Sequence, residues 1–141
     1  MRSYISIVLG LTAGFALAVL GSPAQAQESS LSLELNRMDQ QGEACRFDWR
    51  VTNRSPSSIQ DFAADFVLFD KQGVNIARMS IPFGWLAREK SVLRSFQLSP
   101  FDCALVGEVL FNEVAACTAD PELDCVAVIG VSSRATVPLT R

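Results

Sequence analysis

The chain has 141 residues, 49% of them hydrophobic and 19% charged, with four Cys, no His and a formal net charge of −3. That length supports one hydrophobic core and is short for two. Lack of His excludes the Ser-His-Asp and Cys-His catalytic schemes and the commonest metal ligand, and the negative balance gives nucleic acid no electrostatic footing.

The chain opens on Met-Arg-Ser-Tyr, with one positive charge, followed by an apolar run from Ile5 to Leu20. Gly21-Ser22-Pro23 and the small-residue pattern Ala24-Gln25-Ala26 come next. This order predicts a secretory signal peptide over 1–26, cleaved after Ala26. As a helix, the apolar run would reach about 24 Å, short of the roughly 30 Å needed to anchor in a bilayer. No later run reaches membrane length, so no membrane span is expected after cleavage. Cleavage removes one arginine and takes the net charge to −4. A single domain over 27–141, periplasmic or secreted, is the expected mature protein.

Alternation, with a period of two, dominates that domain. Leu31, Leu33 and Leu35 share a face against Ser32 and Glu34, and Cys45, Phe47, Trp49 and Val51 do the same against Arg46, Asp48, Arg50 and Thr52. These predict two half-buried strands joined through Asp39–Gly42. Turn residues break the pattern over Asn53–Ser58, where Asn53-Arg54-Ser55 also has the spacing of an N-glycan acceptor. Phe62, Ala64, Phe66 and Leu68 mark a third strand, ended by Asp70-Lys-Gln-Gly73, a tight turn into Val74–Ile81. Pro82–Leu86 interrupts again, with room for one helical turn toward Lys90, and Val92, Arg94, Phe96 and Leu98 mark a fifth strand. Ala104–Val114 is almost continuously apolar and predicts a central strand buried on both sides. One or two further strands are expected between Cys125 and Leu139. About seven short strands with regular turn signals predict an all-β sandwich.

An even number of Cys in an exported domain predicts two disulfides. Three connectivities are open. Cys117–Cys125 is favoured because the Thr-Ala-Asp-Pro-Glu-Leu-Asp between them is rich in turn formers; Cys45–Cys103 then follows by elimination. No C-x-x-C occurs, which removes the redox-motif reading.

The segment Phe66-Val-Leu-Phe-Asp-Lys-Gln-Gly73, preceded by Val51-Thr-Asn53 and Ile59, is similar to the FxLYD-type immunoglobulin-like domains of bacterial exported proteins. Phe69 stands where that pattern has Tyr, and the match spans about residues 47–98. The resemblance implies an immunoglobulin-like sandwich of non-catalytic habit and carries no active-site residues across.

Enzyme signatures are missing. Asp61 and Asp65 share a strand face about 13 Å apart, outside both carboxylate separations used by glycosidases. Gly130-Val-Ser-Ser-Arg134 lacks the second Gly of G-x-S-x-G, and no S-x-x-K, P-loop or dinucleotide fingerprint occurs. No enzyme and no cofactor are expected.

Two loops carry the remaining candidates. Phe83, Trp85 and Leu86 put large apolar groups where an inter-strand loop is usually polar; such groups either anchor a protein interface or fold over the open end of the core and plug it. Asp120, Glu122 and Asp124 alternate between Cys117 and Cys125 and offer the oxygen donors that Ca²⁺ prefers, without the Gly and Glu spacing of an EF-hand. The function expected is a non-catalytic interaction or accessory module with a partner in the periplasm or cell envelope. The alternatives are a small-ligand or metal-ion binding protein, or an inhibitor of a periplasmic or extracellular hydrolase.

Overall fold

Alternating apolar residues fold into two stacked four-stranded sheets in a computed structural model of the chain, which describes residues 29–141. The expected signal peptide, 1–26, lies outside the described residues. The strands are β1 (Leu31–Gln41), β2 (Ala44–Asn53), β3 (Ser58–Phe69), β4 (Asn75–Pro82), β5 (Lys90–Leu98), β6 (Glu108–Asp120), β7 (Ile129–Ser133) and β8 (Leu139–Thr140). A 3₁₀ turn, Cys103–Leu105, precedes β6, and a four-residue helix α1, Cys125–Val128, precedes β7. Among the described residues no helix is long and apolar enough to cross a membrane.

One sheet runs β5-β2-β1-β7 and the other β4-β3-β6-β8. The interleaving of β1, β2 and β5 against β3, β4 and β6 is the Greek-key arrangement of immunoglobulin-like sandwiches. The count is eight strands rather than about seven, because the final segment divides. β7 pairs parallel with β1 in one sheet, and β8 pairs parallel with β6 in the other.

The period-two reading of the first three strands holds. Leu31, Leu33, Leu35, Phe47, Trp49, Val51, Phe62, Ala64, Phe66 and Leu68 are all fully buried, each large side chain contributing roughly 1.5–3 kcal/mol of burial free energy. β1 continues to Gln41, so the β1–β2 turn falls at Gly42-Glu43, later than expected. Trp49 lies at the centre of the core, with its ring centroid 4.5 Å from Phe66 and 5.9 Å from Phe83.

The segment Ala104–Val114 departs from expectation. Ala104 and Leu105 are exposed in the 3₁₀ turn, and β6 begins only at Glu108. Val109 and Phe111 face the core, while Asn112 and Glu113 are exposed, so the strand is buried on one face. Against β3 its register shifts between Asp65 and Phe66 and between Ala63 and Ala64, leaving Asn112 and Ala115 as extra residues. Such bulges rotate side chains out of strict alternation.

Both disulfides join the favoured partners. Cys45–Cys103 ties β2 to the 3₁₀ turn, with Cα atoms 5.1 Å apart, and Cys117–Cys125 ties β6 to α1, with Cα atoms 6.3 Å apart.

Candidate functional site

The segment after β4 stays fastened to β3. Phe83 and Gly84 N–H both donate to the Phe62 carbonyl, Phe62 N–H donates to the Gly84 carbonyl, and Leu86 and Ile59 exchange a pair of backbone bonds of 2.8 and 3.0 Å. Between these anchors Gly84 adopts φ +71°, a left-handed conformation that costs L-residues free energy. The kink changes the phase of the chain, so Phe83 and Leu86 both turn inward and only Trp85 turns out. Phe83 and Leu86 thus plug the end of the core, the second of the two roles open to the loop, which corrects them as interface anchors and leaves only Trp85 projecting. Phe83 is 1% and Leu86 2% exposed, whereas Trp85 is 59% exposed. Phe83 stacks on Phe62 at 5.5 Å and meets Phe96 edge-on at 5.7 Å, closing that end of the core. No helical turn forms between Leu86 and Lys90.

Two polar side chains outside the sequence-predicted site residues brace the loop. Arg94 Nε donates to the Phe83 carbonyl at 3.1 Å and Arg94 Nη2 to the Trp85 carbonyl at 3.4 Å. The signal available was a cation at an inward position of the Val92–Leu98 alternation. Asn53, fully buried, donates from Nδ2 to the Ser57 and Leu86 carbonyls, and its Oδ1 accepts from the Ser55 N–H and hydroxyl. A glycan on that nitrogen is incompatible with this fold, so the triplet Asn53-Arg54-Ser55 is a chance match to the acceptor spacing. An Asn at a strand end followed by Ser-Pro-Ser is the available signal for such a side-chain turn.

The acidic loop does not assemble a cation site. Asp120, Glu122 and Asp124 are all exposed. Asp124 caps α1, accepting from the Val126 and Ala127 N–H groups. Among the described residues no group of three His, Cys, Asp or Glu side chains is placed to hold a metal ion. Asp61 and Asp65 lie on the outer face of β3, the first exposed and the second half-buried opposite Glu113 of β6.

The outer face of the other sheet is a paired charge ladder. Arg46 and Asp48 form a two-pronged ion pair of 2.8 and 2.7 Å, and Ser95 also donates to Asp48. The hydrogen bond from Arg46, with help from Ser95, holds the Asp48 carboxyl below its ordinary range. Partial burial pushes the Glu34 carboxyl up, but hydrogen bonds from Asn36 and Arg134 outweigh it and leave the group lowered. Both are neutralised pairs with no free reactive group.

Fold and site together define a disulfide-braced all-β sandwich presenting one exposed tryptophan on a hydrogen-bonded loop. No family model matches the chain, and no curated protein matches it. Among solved structures the chain is similar to IrmA from Escherichia coli, with a TM-score of 0.54 and 11% identity over 72% of this chain and 89% of that chain. At that identity the likeness shows the fold alone.

Proposed function

We propose that the chain is an exported, non-catalytic interaction module whose partner lies in the periplasm or cell envelope, with Trp85 as its anchor. The observation that carries this is the mounting of Trp85. The side chain is 59% exposed, yet its neighbours on both sides are bonded to β3 and its own carbonyl to Arg94. With its backbone already held, only the two side-chain torsions of the tryptophan need ordering on binding, which favours affinity. Two disulfides favour an oxidising compartment, in keeping with the signal-peptide pattern at residues 1–26. A relation to FxLYD-type domains is supported by the position of Phe66–Gly73, which forms the end of β3 and its turn, with Asp70 accepting from the Gln72 and Val74 N–H groups.

Affinity capture from native periplasm with the mature domain tests the reading. Trp85→Ala should weaken capture by about 2 kcal/mol and leave thermal stability near that of the parent. Phe83→Ala should lose about 3–5 kcal/mol of stability as a core truncation. Undiminished capture by Trp85→Ala, or a core-sized loss of stability in it, would overturn the anchor.

A further inference from the structure

We infer that β4 pairs antiparallel with β4 of a second copy of this chain across a two-fold axis, joining the two β4-β3-β6-β8 sheets into one. This goes beyond the tryptophan anchor and does not depend on it.

β4 ends its sheet, and the phase of the β3–β4 ladder fixes which of its backbone groups are free. Phe83 N–H bonds the Phe62 carbonyl, and Ala63–Pro82, Ala64–Ile81, Asp65–Ser80, Phe66–Met79 and Val67–Arg78 follow in antiparallel register. Bonding alternates along such a ladder, so Ile81 and Met79 bond β3, while Ser80 and Arg78 turn their N–H and C=O groups away from the sheet. An eight-residue strand thus presents a free edge that another strand can complete.

Charge selects the occupant. On the outer face of this sheet Ser80, Asp65 and Glu113 stand opposite one another in a row across β4, β3 and β6. Carboxylates directly opposed across a ladder are destabilising. None of the three ion pairs among the described residues engages either of them, and Asp65 Oδ1, shielded from solvent, accepts no hydrogen bond from the described residues. Arg78 of the same chain lines their groove of about 170 Å³, but it stands opposite Val67, one row along, and forms none of those ion pairs. The row therefore carries two negative charges and ends, at the sheet edge, on a small serine. A cation arriving from beyond Ser80 would complete it.

A second copy supplies that cation at one register and not at its neighbours. Free residues must face free residues, so Arg78 can stand opposite Arg78, Ser80 or Pro82 of the second copy. The first choice opposes like charges, and the third meets a residue without an N–H. The second puts Met79 on the two-fold axis and continues the row as Arg78, then Ser80, Asp65 and Glu113 of the second copy. Arg78 and that Asp65 are then two strand spacings apart, about 10 Å between Cα atoms, which an extended arginine and an aspartate bridge over the serine. Symmetry makes the contact twice. On the inner face the two Met79 side chains meet as a non-hydrogen-bonded pair, the closer kind, beside a groove of about 220 Å³ that half-buried Phe96 and Leu98 help to line. A foreign strand would need a cation opposite Ser80 and an anion one strand beyond Arg78; the second copy has both by symmetry. The net charge of −3 opposes association only weakly, because charges more than about 8 Å apart are screened at physiological salt.

Sedimentation equilibrium of the mature, disulfide-bonded protein should show a monomer–dimer equilibrium that weakens with salt. Amide exchange should show protection at Arg78 and Ser80 rising with protein concentration. Arg78→Asp and Asp65→Arg should each weaken the dimer roughly tenfold or more, since each changes two contacts at once. Mixed in equal amounts, the two variants should associate again, because every contact between unlike copies then opposes a cation to an anion. Mixing restores a contact between copies and leaves a contact within one chain unchanged, so it separates the two roles of Arg78. A monomer at millimolar concentration, a dimer indifferent to both substitutions, protection gained on another strand, or variants that stay apart when mixed would each overturn the inference. Should either variant misfold, protection at Arg78 and Ser80 in the parent still decides it.

Discussion

Arg94 Nε donates to the Phe83 carbonyl at 3.1 Å from a strand position whose partner across the ladder is the buried Trp49. Alternation therefore directs the Arg94 stem inward, and its guanidinium escapes burial by reaching the carbonyls of the loop that closes the core. One side chain thus joins the edge of one sheet to the extension of the other.

Replacing it tests that bracing. Arg94→Met keeps the stem and removes the donors, and should cost about 1.5–3 kcal/mol, the range for hydrogen bonds to charged groups. Amide hydrogen exchange should localise the effect: protection at Gly84 and Leu86 falls while that of Leu33 and Val51 changes only with global stability. Unchanged exchange at Gly84 would show that the backbone bonds to β3 hold the loop unaided.

How much was legible beforehand divides by range. Leu31, Leu33, Leu35 and the Cys45–Val51 alternation report their burial directly, because each face of a strand is fixed by its own residues. The Cys117–Cys125 pairing is legible from the turn formers between the two residues. Which of Phe83, Trp85 and Leu86 plug the core and which projects is decided by one glycine, Gly84 at φ +71°, which changes the phase of the chain between them. In β6, the extra residues Asn112 and Ala115 break the alternation that composition implied. The division of the final segment into β7 and β8 depends on parallel partners β1 and β6, which no local pattern announces.

Gly107 meets the β3–β4 turn at close range. A Cβ built there would lie 2.6 Å from the Asp70 carbonyl oxygen and 2.7 Å from the Lys71 nitrogen, both backbone atoms. Gly107 N–H also donates to the Phe69 carbonyl at 2.8 Å, so the two segments cannot separate without losing that bond. Gly107→Ala should therefore destabilise by about 1–3 kcal/mol, the range for overpacking a site that cannot give. Denaturant unfolding checks it, and a change below about 0.5 kcal/mol would show the turn to be compliant.

Acid should weaken the charge ladder in a defined direction. The Asp48 and Glu34 carboxyls are both held below their ordinary range in the fold, so folding favours their ionised forms. Their contribution is fully present above the unfolded value of about 4 and is lost as pH falls through the lowered folded values. Melting temperature should thus decline below about pH 4, and Asp48→Asn should show a shallower decline than the parent. An identical acid profile in the variant would mean that the Arg46–Asp48 pair is too well solvated to matter.

The two disulfides should contribute unequally and in the order set by their loops. Cys45–Cys103 spans 58 residues and Cys117–Cys125 spans eight; on the chain-entropy estimate they stabilise by about 4 and about 2.5 kcal/mol. The long loop's native docking does not depend on its disulfide alone. Phe101 N–H donates to the Glu43 carbonyl, and Gln40 Oε1 accepts from the Cys103 N–H, so the 3₁₀ turn is hydrogen-bonded to the β1–β2 hairpin as well. Its removal frees the unfolded chain and also leaves a gap at the buried Cys45. Cys117–Cys125 holds α1 against β6; Cys45 and Cys125 are both buried in the core, so loss of either disulfide also opens a packed contact. Calorimetry on the Cys45→Ser/Cys103→Ser and Cys117→Ser/Cys125→Ser double variants should show the larger fall in melting temperature for the first pair. Hydrogen exchange should show the more local opening, at Val126–Ile129, for the second. If the short-loop variant is the less stable of the two, packing at α1 outweighs loop entropy.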